Sequence, residues 1–172
     1  MSNLRKPLFV VALTLVAVLS IGGAALGDAI GRTGKTVTAV RAITNDVPVV
    51  IFPEQGMIDV PGMKPTITVP ATERAILVIT FSADTDCKVT NATSANQCNV
   101  RVLVDNNPVP PGVVLWARSD SLGTPSGGVR SMQWVTGPLN AGDHVLKVQA
   151  QAAGAGSLRI GPMTLTVLRS KF

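Results

Sequence analysis

Polar and hydrophobic residues alternate along most of the chain after residue 35, with the two-residue period of β-strands. Residues 98–105 alternate strictly, and Val100, Val102 and Val104 all fall on one face. Residues 75–83 are apolar at both parities and rich in β-branched side chains, which predicts a central strand buried on both sides. No segment after residue 35 shows a clear 3.6-residue period. The pattern therefore predicts an all-β domain.

Turn-forming residues divide this domain into about nine strands. The predicted strands cover residues 36–44, 47–52, 65–69, 75–83, 98–105, 112–118, 129–136, 144–152 and 157–169. Pro48 lies inside the second of them and predicts an edge or bulged strand. Strands spaced by roughly eight to twelve residues are typical of antiparallel sandwiches and barrels. The number of strands favours a jelly-roll β-sandwich over an immunoglobulin-like one.

The first 35 residues follow a different pattern. Arg5 and Lys6 precede twenty uncharged residues, 8–27, that end in glycines and alanines. This arrangement is typical of a hydrophobic signal helix, and the small residues favour cleavage after Gly27. A stretch of this length can also span a bilayer, so an uncleaved membrane anchor is the alternative. The predicted organisation is a signal peptide (1–27), a flexible tether (28–35) and a β-sandwich domain (36–172).

Charge and composition limit the partners that the domain can have. The chain has 15 basic and 10 acidic residues, a formal charge of +5, and removal of the signal peptide takes away Arg5 and Lys6, which leaves 13 against 10, or +3. A charge this small, without a run of Lys or Arg, argues against binding to nucleic acid. We expect a protein or glycan partner at the cell surface, and membrane contact only through an uncleaved N-terminal segment.

The chain has two cysteines, Cys87 and Cys98. In an exported protein such a pair predicts a disulfide, worth about 3 kcal/mol by its effect on the unfolded chain. The ten residues between the cysteines are too few for the bridge that joins the two sheets of an immunoglobulin domain. We therefore expect the bond to close a surface loop outside the sheets of a secreted or cell-surface protein.

Polar residues near this loop suggest a calcium site. Asp84 and Asp86 follow the predicted end of a strand at residue 83, and Asn91 and Asn96 lie between the cysteines. Calcium binds carboxylate and amide oxygens, so Asp84, Asp86 and Asn96 are the candidate ligands. A tight polar turn would explain the same residues without a metal. The sequence predicts no cofactor apart from this candidate calcium.

Two tryptophans and one histidine are the remaining candidates for chemistry. Trp116 lies in an apolar strand and is predicted to be buried, whereas Trp134 follows Gln133 and is predicted to be an exposed ligand-binding side chain. His144 shares its parity with core residues and is predicted to lie at the rim of the core. Asp143 is its neighbour on a strand, so the two side chains point to opposite faces, which argues against a catalytic pair.

The C-terminal region carries a resemblance to a group of known proteins. Residues 139–148 (LNAGDHVLKV), a glycine-containing gap at 154–156 and residues 165–167 resemble the last hairpin of secreted bacterial β-sandwich modules of uncharacterised function, both jelly-roll and immunoglobulin-like. The resemblance implies a fold and no active residues.

The sequence favours a non-catalytic role, because no nucleophile or acid–base pair can be assembled from its spacing. We expect an exported β-sandwich that acts by surface contact, as a cell-envelope or extracellular binding or assembly module. The alternative is a carbohydrate-binding jelly roll that uses Trp134 and the loop at residues 119–128. A secreted hydrolase is a third possibility.

Overall fold

The computed structural model describes residues 36–90, 95–120 and 126–172. The predicted signal peptide and tether lie outside the described residues, as do Asn91 and residues 121–125 of the polar loop. A short 3₁₀ turn, Pro53–Gln55, interrupts a structure otherwise built of strands. Within the described ranges no helix is long and apolar enough to cross a membrane. The all-β prediction is confirmed.

Eleven strands are present in this part of the chain. They are β1 (Thr36–Asn45), β2 (Val49–Ile51), β3 (Ile58–Asp59), β4 (Thr66–Val69), β5 (Ala75–Val89), β6 (Asn96–Val104), β7 (Asn107–Pro108), β8 (Val114–Ser119), β9 (Ser126–Val135), β10 (Gly142–Gly154) and β11 (Gly156–Lys171). Each of the nine predicted strands overlaps one of them. The pattern missed β3 and β7, because two residues are too few to show a period.

The strands form two antiparallel sheets. Sheet A has the order β1-β11-β5-β9, with β2 also paired to β11. Sheet B has the order β3-β10-β6-β7, with β4 paired to β10 and β8 paired to β6. Alternate residues of both sheets enter one hydrophobic core, to which sheet A contributes Phe81 and Leu165 and sheet B contributes Val100 and Leu146. Burial of these side chains is the main force that holds the two layers together.

Strand β5 lies at the centre of sheet A, between β11 and β9, as predicted. Its inward residues, such as Leu77 and Phe81, are fully buried. On the other side of the strand Val78, Thr80 and Ser82 are only partly buried, so the prediction of burial on both sides is wrong for these positions. The second sheet covers only the inner face, which leaves the outer face to solvent.

Two of the connections between the sheets lie together at one end of the molecule. Strand β5 belongs to sheet A and β6 to sheet B, while β10 belongs to sheet B and β11 to sheet A. The predicted last hairpin is therefore wrong, because β10 and β11 do not pair with each other. The two crossings touch through the Thr90 N–H, which donates to the Ala155 carbonyl at 3.0 Å. Glycine is needed here: a Cβ on Gly156 would lie 1.8 Å from the Lys88 carbonyl oxygen.

Candidate functional site

The disulfide joins the two sheets. Cys87 lies in β5 and Cys98 in β6, their Cα atoms are 6.0 Å apart, and both side chains are fully buried. The predicted bond is confirmed, but its predicted place in a loop outside the sheets is wrong. A short connection is sufficient because the bond lies beside the point where the chain crosses from one sheet to the other. Such a disulfide indicates an oxidising compartment.

Asn96 packs beside this disulfide, inside the molecule. Its side chain is fully buried, and Nδ2 donates to the Lys88 carbonyl at 2.7 Å and to the Ser157 carbonyl at 3.1 Å. The amide therefore connects the start of β6 to the end of β5 and to the start of β11. This is a structural role, in which the side chain ties the two crossings together.

The other two candidate calcium ligands lie elsewhere. Strand β5 continues to Val89, and its alternation places Asp84 and Asp86 on the outer face of sheet A, with Asp86 Oδ2 3.0 Å from Lys88 Nζ. The structure does not bring Asn96 to the same surface as these two aspartates. Within the described ranges no group of three or more His, Cys, Asp or Glu side chains could hold a metal ion. Calcium binding stays a prediction, and it now rests on the aspartates.

Both tryptophans are buried. Trp134 is 0% exposed, lies opposite Ile79 of β5, and donates from Nε1 to the Gly112 carbonyl at 3.1 Å. The prediction of an exposed Trp134 is wrong, because Gln133 and Trp134 have opposite parity and only Gln133 faces outward. Trp116 is buried as predicted, with its ring centroid 5.4 Å from that of Phe81. No tryptophan of the described residues can serve as a platform for a sugar.

His144 makes two hydrogen bonds that occupy both of its ring nitrogens. Nδ1 lies 2.7 Å from Asp105 Oδ2, and Nε2 lies 2.9 Å from the Asn140 carbonyl oxygen. Asp143 points away and accepts a hydrogen bond from the Thr68 hydroxyl at 2.6 Å, so the expectation that it does not orient His144 is confirmed. A histidine with both nitrogens facing acceptors cannot take a proton from a hydroxyl nucleophile.

This geometry favours the protonated imidazole. Burial acts to lower the pKa of His144, but hydrogen bonds to Asn140 and Asp105 and the nearby negative charges outweigh burial and raise that pKa above its usual value. Burial acts to raise the pKa of Asp105, but hydrogen bonds from His144 and the Val145 N–H, and the histidine charge, lower it overall. When the imidazole is protonated, the two groups form an ion pair near the turn between β6 and β7.

The outer face of sheet A, meaning its solvent side, contains an open depression of about 420 Å³. A register shift between Ile160 and Met163 in β11 lies at this place. A Cβ on Gly161 would lie 3.3 Å from Asp84 Oδ2, so glycine leaves room for that carboxylate. The depression is lined by Thr44, Asp46, Ser82, Ala83, Asp84, Val129, Pro162, Met163 and Thr164.

Hydroxyl groups continue from this depression across the sheet. Ser82 Oγ lies 2.8 Å from Ser131 Oγ, and Gln133 Nε2 donates to Thr80 Oγ1 at 3.3 Å. Val129, at the rim, is 81% exposed. Carboxylates, hydroxyls and an exposed aliphatic side chain can hydrogen-bond to a polyhydroxylated ligand and pack against its C–H groups. The sequence did not reveal this surface, because its residues come from four strands that meet only through sheet pairing.

Comparison with known proteins gives no family. No protein-family model matches the chain, and no curated protein sequence does. Among solved structures, dimeric latent PorU from Porphyromonas gingivalis is similar at 11% identity and a TM-score of 0.43 over 81% of this chain and 14% of that one.

Two further solved structures are similar at lower TM-scores. Particles derived from infectious bursal virus match at 13% identity and a TM-score of 0.36 over 80% of this chain and 38% of that one. Arthrobacter globiformis isomalto-dextranase complexed with panose matches at 16% identity and a TM-score of 0.30 over 59% of this chain and 15% of that one. The chain therefore spans well under half the length of each protein, and these distant likenesses assign no function.

Proposed function

We propose that the protein is an exported, non-catalytic β-sandwich that acts by surface contact, as a cell-envelope or extracellular binding or assembly module. The observation that carries the proposal is the outer face of sheet A, where Val40 is 65% and Val129 is 81% exposed beside a row of hydroxyl groups. Exposed aliphatic side chains next to polar groups are typical of contact surfaces. Support for export comes from the signal-peptide pattern and from the buried disulfide.

We further infer that the sandwich belongs to the jelly-roll class. Support comes from the strand order when short strands that share a neighbour are counted as one: β1 with β2, β3 with β4, and β7 with β8. The eleven strands then become eight, and the two sheets have the orders 1-8-3-6 and 2-7-4-5. Eight strands in two antiparallel sheets are the pattern of jelly rolls, which include capsid and lectin domains.

The test of surface contact compares two variants that each replace an exposed valine. Val129→Arg changes the outer face of sheet A, and Val113→Arg changes a residue that is 51% exposed outside the strands. We expect the exported protein and Val113→Arg to sediment with cell envelopes of the host, and Val129→Arg to bind at least about tenfold more weakly, because a charge replaces an apolar contact. Equal binding of all three proteins would contradict the proposal.

A second candidate function is binding of a neutral polysaccharide. The observation that favours it is the depression, where Asp46 and Asp84 offer acceptors beside three hydroxyl side chains. Asp84→Asn keeps the shape of the side chain and removes the charge, so we expect about tenfold weaker binding to insoluble neutral polysaccharides, measured by depletion. Asp120→Asn is the control, because Asp120 is exposed and pairs with Arg118. Absence of binding by the unmodified protein would exclude this candidate.

A further inference from the structure

Strand β1 is a long edge strand with little cover. It has ten residues and pairs with β11 along one side, and the described part of the chain provides no strand for its other side. Side chains on both faces of the strand are exposed from Thr36 to Ala42. A strand of this kind presents a row of unpaired backbone N–H and C=O groups to solvent, which can pair with another chain.

The other sheet margins in the described part of the molecule are shorter or are bonded by the main chain at one end. Sheet B ends in β3 and β4 on one side and in β7 and β8 on the other, with two, four, two and six residues. Strand β9 is as long as β1, but the Val135 N–H at its end donates to the Pro110 carbonyl at 3.4 Å. Short strands and covered ends are the usual protection of sheet edges. Strand β1 is long, and within the described residues its hydrogen bonds beyond β11 are made by side chains, such as Asn45 Nδ2 to the Pro61 carbonyl at 3.0 Å.

The composition of β1 also favours pairing. Six of its ten residues are β-branched, and the strand contains no proline, lysine or acid. Its one charged residue, Arg41, turns toward sheet B, where Nη1 donates to the Thr66 carbonyl at 2.7 Å. The guanidinium therefore does not guard the edge in the way that an outward lysine would.

We propose that β1 pairs antiparallel with β1 of a second copy, with Ala42 opposite Ala42 on a two-fold axis. This register uses residues 39–45, the part of β1 that pairs with β11 without a register shift. Arg41 then faces Ile43 of the second copy, so no two like charges are opposed. The two A sheets join into one continuous sheet with an isologous interface.

The contact between the two copies in this register consists of one pair of strands, residues 39–45 of each copy. A strand pair alone buries less than the roughly 1,200 Å² of a standard interface. The dimer is therefore weak and dissociates on dilution.

Cross-linking tests the register. Residues directly opposite each other in antiparallel strands have Cα atoms about 4.5–5.5 Å apart, within the range of a disulfide. Ala42→Cys in the exported protein should give a covalent dimer under mild oxidation, at least tenfold more than Val129→Cys, which is 81% exposed but lies on β9, at the opposite margin of sheet A. Equal cross-linking of both variants would show random collision and overturn the proposal.

Sedimentation measures the same contact without a new cysteine. We expect the unmodified protein to shift from monomer to dimer as its concentration rises, and Ala42→Lys to stay monomeric over a range at least tenfold wider, because two lysines would face each other on the axis. Val113→Lys is the control and should dimerise normally. A monomer at all concentrations, with β1 amides protected from hydrogen exchange, would show that another part of the chain covers this edge and would overturn the proposal.

The inference extends beyond the proposed envelope contact and can fail separately from it. Envelope binding is measured with Val129→Arg, and dimerisation with variants of Ala42. If the protein does not dimerise but still sediments normally with envelopes, only the proposal of a second copy beside β1 is overturned.

Discussion

At the scale of single residues, His144 connects parts of the chain that are distant in sequence. Its ring contacts the Asn140 carbonyl and the carboxylate of Asp105, which is 39 residues away, and the second oxygen of that carboxylate accepts a hydrogen bond from the Val145 N–H at 2.9 Å. Asp105 has a φ of 52°, a conformation that Asp and Asn adopt more readily than most residues. The three bonds hold the turn after β6 against the start of β10.

This clamp makes stability depend on pH in a defined direction. The raised pKa of His144 means that its contribution is fully present below the unfolded pKa of about 6.5 and is lost as pH rises through the folded pKa. The lowered pKa of Asp105 means that its contribution is present above about pH 4 and is lost as pH falls through the folded pKa. The clamp is strongest in the interval between these values.

We expect His144→Gln to lower the free energy of unfolding by on the order of 1 kcal/mol at pH 5, and by less at pH 8, because the unmodified protein loses the imidazolium charge as pH rises through the folded pKa of His144. Denaturant unfolding of both proteins at the two pH values measures the difference. The control is Asp120→Asn, which removes an exposed carboxylate just after β8. This variant should lower the free energy of unfolding by the same small amount at both pH values. If His144→Gln lowers the free energy of unfolding by the same amount at pH 5 and pH 8, the charge of the ring makes no contribution.

Sequence could predict part of this residue-scale picture. Parity correctly separated Asp143 from His144, because neighbours on a strand point to opposite faces. It could not supply Asp105 as the partner, because that contact depends on the pairing of β6 with β10, which places Leu146 opposite Val104. The exposed position of Trp134 is inferred from a polar neighbour, whereas its pairing with the core residue Ile79 of β5 decides its burial.

At the scale of elements, the ends of strands were the weakest predictions. The apolar run in β5 stops at Ala83, but the strand continues because Thr85, Cys87 and Val89 still enter the interior. The hydroxyl of Thr85 donates to the Gly128 carbonyl at 3.1 Å, which allows this polar side chain to be buried. Outward residues in this part are charged, so hydrophobicity alone marks the end too early.

The connection between β10 and β11 shows a second limit. A glycine-containing turn between two alternating segments is compatible with a hairpin and with a crossing between sheets. The choice depends on long-range pairing: β10 pairs with β6, and β11 pairs with β5. Both segments were correctly predicted as strands, but local sequence cannot specify the sheet to which each belongs.

At the scale of the whole molecule, the two crossings and the disulfide lie at one end. Cys87 and Cys98 join β5 to β6, Asn96 connects β6 to the main chain of Lys88 and Ser157, and the Thr90 N–H bonds to the second crossing. Composition and the signal-peptide pattern predicted an oxidised pair but not its position. Its function in the fold is to hold sheet A against sheet B.

Removal of this bond should destabilise the molecule by about 3 kcal/mol, the value expected for closing a loop of this length. The double variant Cys87→Ala, Cys98→Ala removes the bond without leaving a free thiol in the core, and denaturant unfolding measures the loss against the unmodified protein. Removing the bond lowers stability in two ways: the unfolded chain gains conformational freedom, and the packing of two buried side chains is lost.

Hydrogen exchange separates these two effects by position. Amides of Lys88 and Gly156 should exchange faster in the variant, whereas that of Val145, beside the His144 clamp, should change only with global stability. An unchanged unfolding midpoint would mean that Asn96 and the glycine crossing hold this end of the sandwich without the disulfide.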